Sequence, residues 1–196
     1  MTGYFVAPIV EGHGEVQAVP ILLRRILSEK RADAFLRVNP PLRIKTGSFF
    51  RDTAYFAKHI ELAARKARPH SRGSVLILLD CEDDCPANIG PELLAKASAI
   101  RADIPMTVAL AYREYETWFL AAAHSLRGKC GLPVDLNPPE EPESVRDAKG
   151  WLGARMPSRY NEPNDQPILS ESFSLDEAAT VPSFARLRRK LQELFT

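Results

Sequence analysis

The chain has 196 residues, and its 26 Lys and Arg nearly balance 25 Asp and Glu, for a net charge of +1. That length suits one domain with its own core, and the charge balance excludes a global pull towards nucleic acid or membrane, so any such attraction must be a local patch. Cys81, Cys85 and Cys130 are too few and too scattered for a disulfide framework, and no apolar run approaches the roughly 18 residues that span a bilayer. The first residues show no basic region followed by a long apolar stretch, so the expectation is a soluble cytoplasmic protein with no membrane partner.

In chain order, residues 4–10 are apolar and β-branched and end at Glu11-Gly12, the pattern of a strand closed by a tight turn. Residues 15–29 place Val16, Val19, Leu22, Leu23, Ile26 and Leu27 at helical spacing, with Pro20 about a turn inside, where its missing N–H costs less than at mid-helix. A short strand is expected at 42–45, and a helix at 52–68 with Asp52 as its N-cap. Residues 74–79 form the continuous apolar run of a strand buried on both faces. An acidic cluster, Asp80-Cys81-Glu82-Asp83-Asp84, begins where that strand must stop. A helix at 91–100 with Pro91 in its first turn, a strand at 106–112 and a helical segment at 115–126 follow. Beyond Gly131, seven prolines between Pro133 and Pro167 interrupt any long element, and only 176–195 returns to helical spacing.

This alternation predicts an α/β fold: an open, mostly parallel Rossmann-like sheet flanked by helices over residues 1–126. A Pro-rich extension over 127–196, ending in a helix, completes a single domain. Ligands in such sheets bind beyond the carboxyl ends of strands. Glu11, Asp80 and the segment Tyr112-Arg113-Glu114-Tyr115-Glu116 all fall at ends of that kind. Anions crowded there repel one another, and a bound Mg²⁺ or Mn²⁺ is a common way to relieve the repulsion. The candidate ligands are Glu11, Glu15, Asp80, Glu82, Asp84 and Glu116. Bland readings stand beside several of them. Glu15 is also suited to a helix N-terminus, Asp80 to capping a loop, and Asp83 and Asp84 to a solvated loop.

Other motifs carry less. Gly12-His13-Gly14 lies between a strand and a helix, but Gln17 stands where a dinucleotide-binding turn needs its third glycine, and no Walker A loop is present. His13 reads as a surface turn residue, with proton relay or phosphate contact as the alternative. The cysteines lack the count and spacing of a zinc site. Trp118, Phe119 and Leu120 read as core, and the basic groups around Arg24, Arg65 to Arg72 and Arg186 to Lys190 as solvated faces unless they converge near the acids.

Val10-Glu11-Gly12 with Glu15, and Leu79-Asp80-Cys81-Glu82, resemble the Toprim domain of topoisomerases, bacterial primases, recombination-repair proteins and the overcoming-lysogenization-defect (OLD) nucleases. The resemblance covers about residues 4 to 120. It implies Mg²⁺-dependent phosphodiester chemistry, with Glu11, Asp80 and Glu82 as core ligands, Glu82 standing where the family has a second aspartate. Glu15 resembles a further acid of the OLD branch, and either Glu82 or Asp84 could reach the metal. Tyr115-Glu116-Thr117-Trp118-Phe119-Leu120-Ala121 and Ser183-Phe184-Ala185-Arg186-Leu187 resemble small stand-alone Toprim-like proteins of bacteria, which adds Glu116 as an acid. For the lysine that assists many Toprim enzymes, Lys129 and Lys149 are candidates. The implied function is a metal-dependent nuclease on nucleic acid, DNA rather than RNA, with a separate ATPase subunit in phage defence and a homo-oligomer as an option. A non-catalytic docking module and a small-molecule phosphate hydrolase are the alternatives.

Overall fold

The computed structural model describes residues 2–82 and 85–196, so Asp84 lies outside the described residues. Among these, β1 (Thr2–Val10), β2 (Ala34–Val38), β3 (Leu42–Arg43), β4 (Gly73–Asp80) and β5 (Met106–Ala111) form one sheet in which every pairing is parallel. The order is β2-β1-β4-β5, with β3 pairing the far end of β1. Parallel neighbours need crossovers, and α1 (Glu15–Lys30), α3 (Thr53–Ala67) and α4 (Pro86–Ile100) supply them.

Period-two alternation splits each strand between two cores. Tyr4, Val6, Val10, Leu76 and Leu78 face one side with α1, while Phe5, Ala7, Ile9, Val75, Ile77 and Leu79 face the other with α3 and α4. Helices on both faces bury β1 and β4 almost completely, which is why both read as unbroken apolar runs. The fold is therefore an open, parallel, Rossmann-like α/β sheet.

The expected elements are present, with some changed bounds. Asp52 caps α3, its carboxylate accepting from the N–H groups of Ala54 and Tyr55 at 2.9 and 3.0 Å. Helix α4 starts at Pro86 rather than Pro91, because Pro86 occupies the first turn, where a missing N–H is tolerated; Pro91 lies inside the helix. Strand β2 and the short helix α2 (Thr46–Arg51) fall where the spacing announced nothing. The helical stretch expected at 115–126 is a short α5 (Thr117–Ala121) followed by a 3₁₀ turn.

The extension is more ordered than its prolines suggest. It forms α6 (Ala148–Gly153), α7 (Glu162–Ser172), α8 (Leu175–Ala178) and α9 (Pro182–Leu194). Helix α7 carries Pro163 in its first turn, with Asn161 accepting from Asn164 N at 3.2 Å as its cap, and it packs along α1. The helical run expected at 176–195 breaks between α8 and α9, where Pro182 restarts it. Trp118 meets α9 by donating Nε1–H to Ser183 Oγ at 2.9 Å and by an edge-on contact with Phe184, its ring centroid 5.2 Å away. The two motifs around Trp118 and Ser183 are thus two halves of one packed joint.

Candidate functional site

The chain leaves β1 towards β2 on one side, and β4 then lies on the other side of β1. The reversal opens a crevice beyond the carboxyl ends of β1 and β4, where open α/β sheets bind ligands. Glu11 follows β1 directly and Asp80 is the last residue of β4, so the two acids stand on either lip of this crevice. Glu15 begins α1 on the β1 side, and Glu116 precedes α5 after β5.

These carboxylates act on one another. Asp80 keeps some exposed surface, but protein surrounds its carboxyl: burial raises its pKa well above the usual aspartate range, and the charges of Glu15, Glu116 and Glu11 add to the effect. Burial likewise pushes Glu15 and Glu116 each up to about 7. Opposing this, the backbone N–H groups of Glu11 and Gly12 donate to Glu15 Oε2 at 2.9 and 3.0 Å, closing the first turn on itself as a capping carboxylate does. Asp80 Oδ1 accepts from Tyr115 N at 2.8 Å, which ties the end of β4 to the segment carrying Glu116. Glu15 therefore combines its bland reading with a place in the cluster.

Four further residues complete the site, all from the extension. Lys149 Nζ lies 3.2 Å from Glu162 Oε2 and 3.9 Å from Glu116 Oε2. Burial alone would lower its pKa, but Glu116, Asp80 and Glu162 raise it above the usual lysine value. Tyr160 Oη and Gln166 Nε2 donate to Glu116 Oε1 at 2.8 and 2.9 Å. Glu162 Oε1 accepts from Gly14 N at 3.1 Å; burial works to raise its pKa, but the Gly14 N–H and Lys149 hold it below the usual glutamate value. A cleft of about 450 Å³ opens beside Lys149 and Tyr160 and is also lined by Arg159. Tyr160, Glu162 and Gln166 carry no mark in sequence, because Glu116 and Gly14, which they meet here, lie at least 44 residues away and no local spacing records the meeting; Lys149 is a candidate only through the family resemblance.

Other candidates fall elsewhere. Glu82 is exposed, with a left-handed φ of 48°, and its N–H donates to Arg113 O at 3.2 Å across an isolated bridge. The charges that act most on Asp80 are those of Glu15, Glu116, Lys149 and Glu11. His13 is exposed. The glycines beside it serve close packing: a Cβ on Gly14 would lie 2.5 Å from the Glu162 carbonyl oxygen and from Gln166 Oε1. Cys81, Cys85 and Cys130 form no disulfide with one another. The basic groups do not converge on the acids. Arg68 and Arg72 flank the start of β4, at the opposite end of the sheet, while Arg188 pairs with Glu29 and Asp176, and Lys190 donates to Val108 O.

For a divalent cation the donor set is chemically apt, since hard cations take carboxylate oxygens. Glu116 Oε2 is buried with no hydrogen-bond partner, the kind of oxygen that a cation would satisfy. As the side chains stand, however, no group of three or more His, Cys, Asp or Glu among the described residues is arranged to hold one ion. Internal donors hold Glu15, Asp80 and Glu116, so a cation would have to draw their remaining oxygens together. No described helix is long and apolar enough to cross a membrane.

Searches of curated proteins and of solved structures return no match to the chain. One family model does match, over residues 10–192, a span that begins at the end of β1 and runs through almost all of α9, so it contains every acid of the crevice and the extension that closes it. The chain belongs to the family described as Domain of unknown function (DUF4276).

Proposed function

We propose that this chain is a Mg²⁺- or Mn²⁺-dependent nuclease of Toprim type, hydrolysing phosphodiester bonds in nucleic acid, DNA in preference to RNA, with a separate ATPase subunit as partner. The observation that carries the reading is the meeting of Glu11, Glu15, Asp80 and Glu116 at the sheet's reversal point, where burial raises three of the four and repulsion within the group adds to the rise of Glu15 and Asp80. A bound divalent cation would supply Lewis-acid stabilisation of the phosphate oxygens and a water of lowered pKa. Asp80 and Glu116, each anchored through one oxygen, would hold it. Glu11 is half-buried at the rim, a position from which a carboxylate can accept a proton from the attacking water or return one to the leaving oxygen. Lys149 offsets part of the charge on Asp80 and Glu116 and faces the cleft through which a phosphate would approach.

The test is cleavage of plasmid and single-stranded DNA by the full chain in Mn²⁺, comparing wild type with Asp80→Ala, alone and with any ATPase that a genomic neighbour encodes. Wild type is expected to cleave and Asp80→Ala to lose the activity. Equal cleavage by both would remove the site assignment. One observation favours a second reading, a non-catalytic docking module: Lys149 and the hydrogen-bond donors around it already balance much of the acidic charge from within. That reading expects no cleavage by wild type under any of these conditions.

A further inference from the structure

Glu116 is held from one side. Its Oε1 accepts two hydrogen bonds, from Tyr160 Oη at 2.8 Å and Gln166 Nε2 at 2.9 Å. Its Oε2 is equally buried and accepts none, and the ammonium of Lys149 stands off at 3.9 Å while sitting closer, at 3.2 Å, to Glu162. Each carboxylate oxygen can accept two hydrogen bonds, so a carboxylate buried only to fill space would gain by sharing its donors between both oxygens. Here both donors converge on one oxygen, and the other, with the Lys149 ammonium no nearer than 3.9 Å, has no hydrogen-bond donor, at a desolvation cost that a closer donor or a divalent cation would offset further.

The helix that carries Gln166 is held by contacts other than Glu116. Gln166 is buried on α7, and Tyr160 lies just before it. Helix α7 is held by its Asn161 cap, by the bond from Gly14 N to Glu162 and by packing along α1. On the other side, Glu114 Oε2 accepts from Lys149 N at 3.1 Å and so fixes the start of α6. These supports of α6 and α7 do not pass through Glu116.

We infer that Tyr160 and Gln166 are positioning residues for Glu116, locking its Oε1 so that Oε2 is presented as a single ligand oxygen to a divalent cation. The inference rests on the divalent-cation reading above and extends it to two residues of the extension. Partners that orient a ligating carboxylate in this way characteristically set metal affinity, by about 10- to 100-fold when removed.

Mn²⁺ alone is the probe, with the full chain, its binding read from loss of the free-ion electron paramagnetic resonance signal. Thermal unfolding of the metal-free protein is measured alongside. Tyr160→Phe removes only a hydroxyl, and Gln166→Met keeps the length of the side chain while removing the donor. Each is expected to weaken Mn²⁺ binding about 10-fold, and the double variant about 100-fold, at a temperature where all are folded. A purely structural role would lower the unfolding temperature and leave Mn²⁺ affinity within twofold of wild type; that result overturns the inference. Asp80→Asn separates the two ideas. If it abolishes Mn²⁺ binding while Tyr160→Phe and Gln166→Met bind normally, the cation site stands and the positioning role falls. A wild-type chain that takes up no Mn²⁺ overturns both. Should Gln166→Met fail to fold, Tyr160→Phe decides alone.

Discussion

Burial raises the carboxyls of Glu15 and Glu116 to about 7 from an ordinary glutamate value of 4.5. Between those values the folded chain keeps protons that the unfolded chain has released. The stabilising contribution of these groups is therefore complete below about pH 4.5 and is lost as pH rises through 7. Asp80, raised in the same direction, adds to the trend. Thermal unfolding of the metal-free protein should fall in midpoint from about pH 5 to about pH 8, and Mn²⁺ should restore part of the loss at the upper end by favouring the ionised forms. A midpoint that is flat across this interval would mean that the cluster titrates as ordinary surface acids do. Asp103, held down to about 2 chiefly by its bond to Arg101, acts in a lower window and leaves the expected slope unaltered.

At the scale of elements, the first turn and α7 are built against each other. A Cβ on Gly14 would lie 2.5 Å from the backbone oxygen of Glu162 as well as from Gln166 Oε1, so Gly14→Ala must move α7 or distort the turn. It is expected to destabilise the fold by roughly 1–3 kcal/mol in urea unfolding. On Gly12 the same atom would meet the tip of the Glu162 side chain at 2.5 Å, which can swing away, so Gly12→Ala should cost less. Equal costs would show that α7 is not seated as described. Legibility follows the same division. Asp52 was readable as a cap because its donors lie two and three residues on. Helix α7 was not readable, since its buried positions are Gln166, Pro167, Leu169 and Ser170, a stripe too polar for apolar spacing to mark. Strand β2 buries only Leu36, so it too left little pattern.

The whole molecule shares one core across the boundary drawn near residue 126. Phe173 and Phe184 of the extension are fully buried, and edge-on contacts join them to Phe119 and Trp118. The phenol of Tyr4 reaches from β1 to the carbonyl of Phe195 at 2.8 Å. Residues 1–126 expressed alone should therefore expose Trp118 and Phe119 and show no cooperative thermal transition, by near-ultraviolet circular dichroism. A sharp transition at the full-length midpoint would demonstrate an independent core.

Sequence by itself determined the α/β sheet and the acids at its strand ends. Both are recorded locally, in unbroken apolar runs and in the charged residues that stop them: Glu11 after β1 and Asp80 at the end of β4. Tertiary structure decided which acids meet. It left Glu82 exposed on a bridge to Arg113, brought Glu116 against Asp80, and set Lys149, Tyr160, Glu162 and Gln166 around them from a stretch whose prolines suggested little order. The physical reason is separation along the chain. Strand and cap signals act within a few residues, whereas a site at the reversal point of a sheet is assembled from segments that only packing can join.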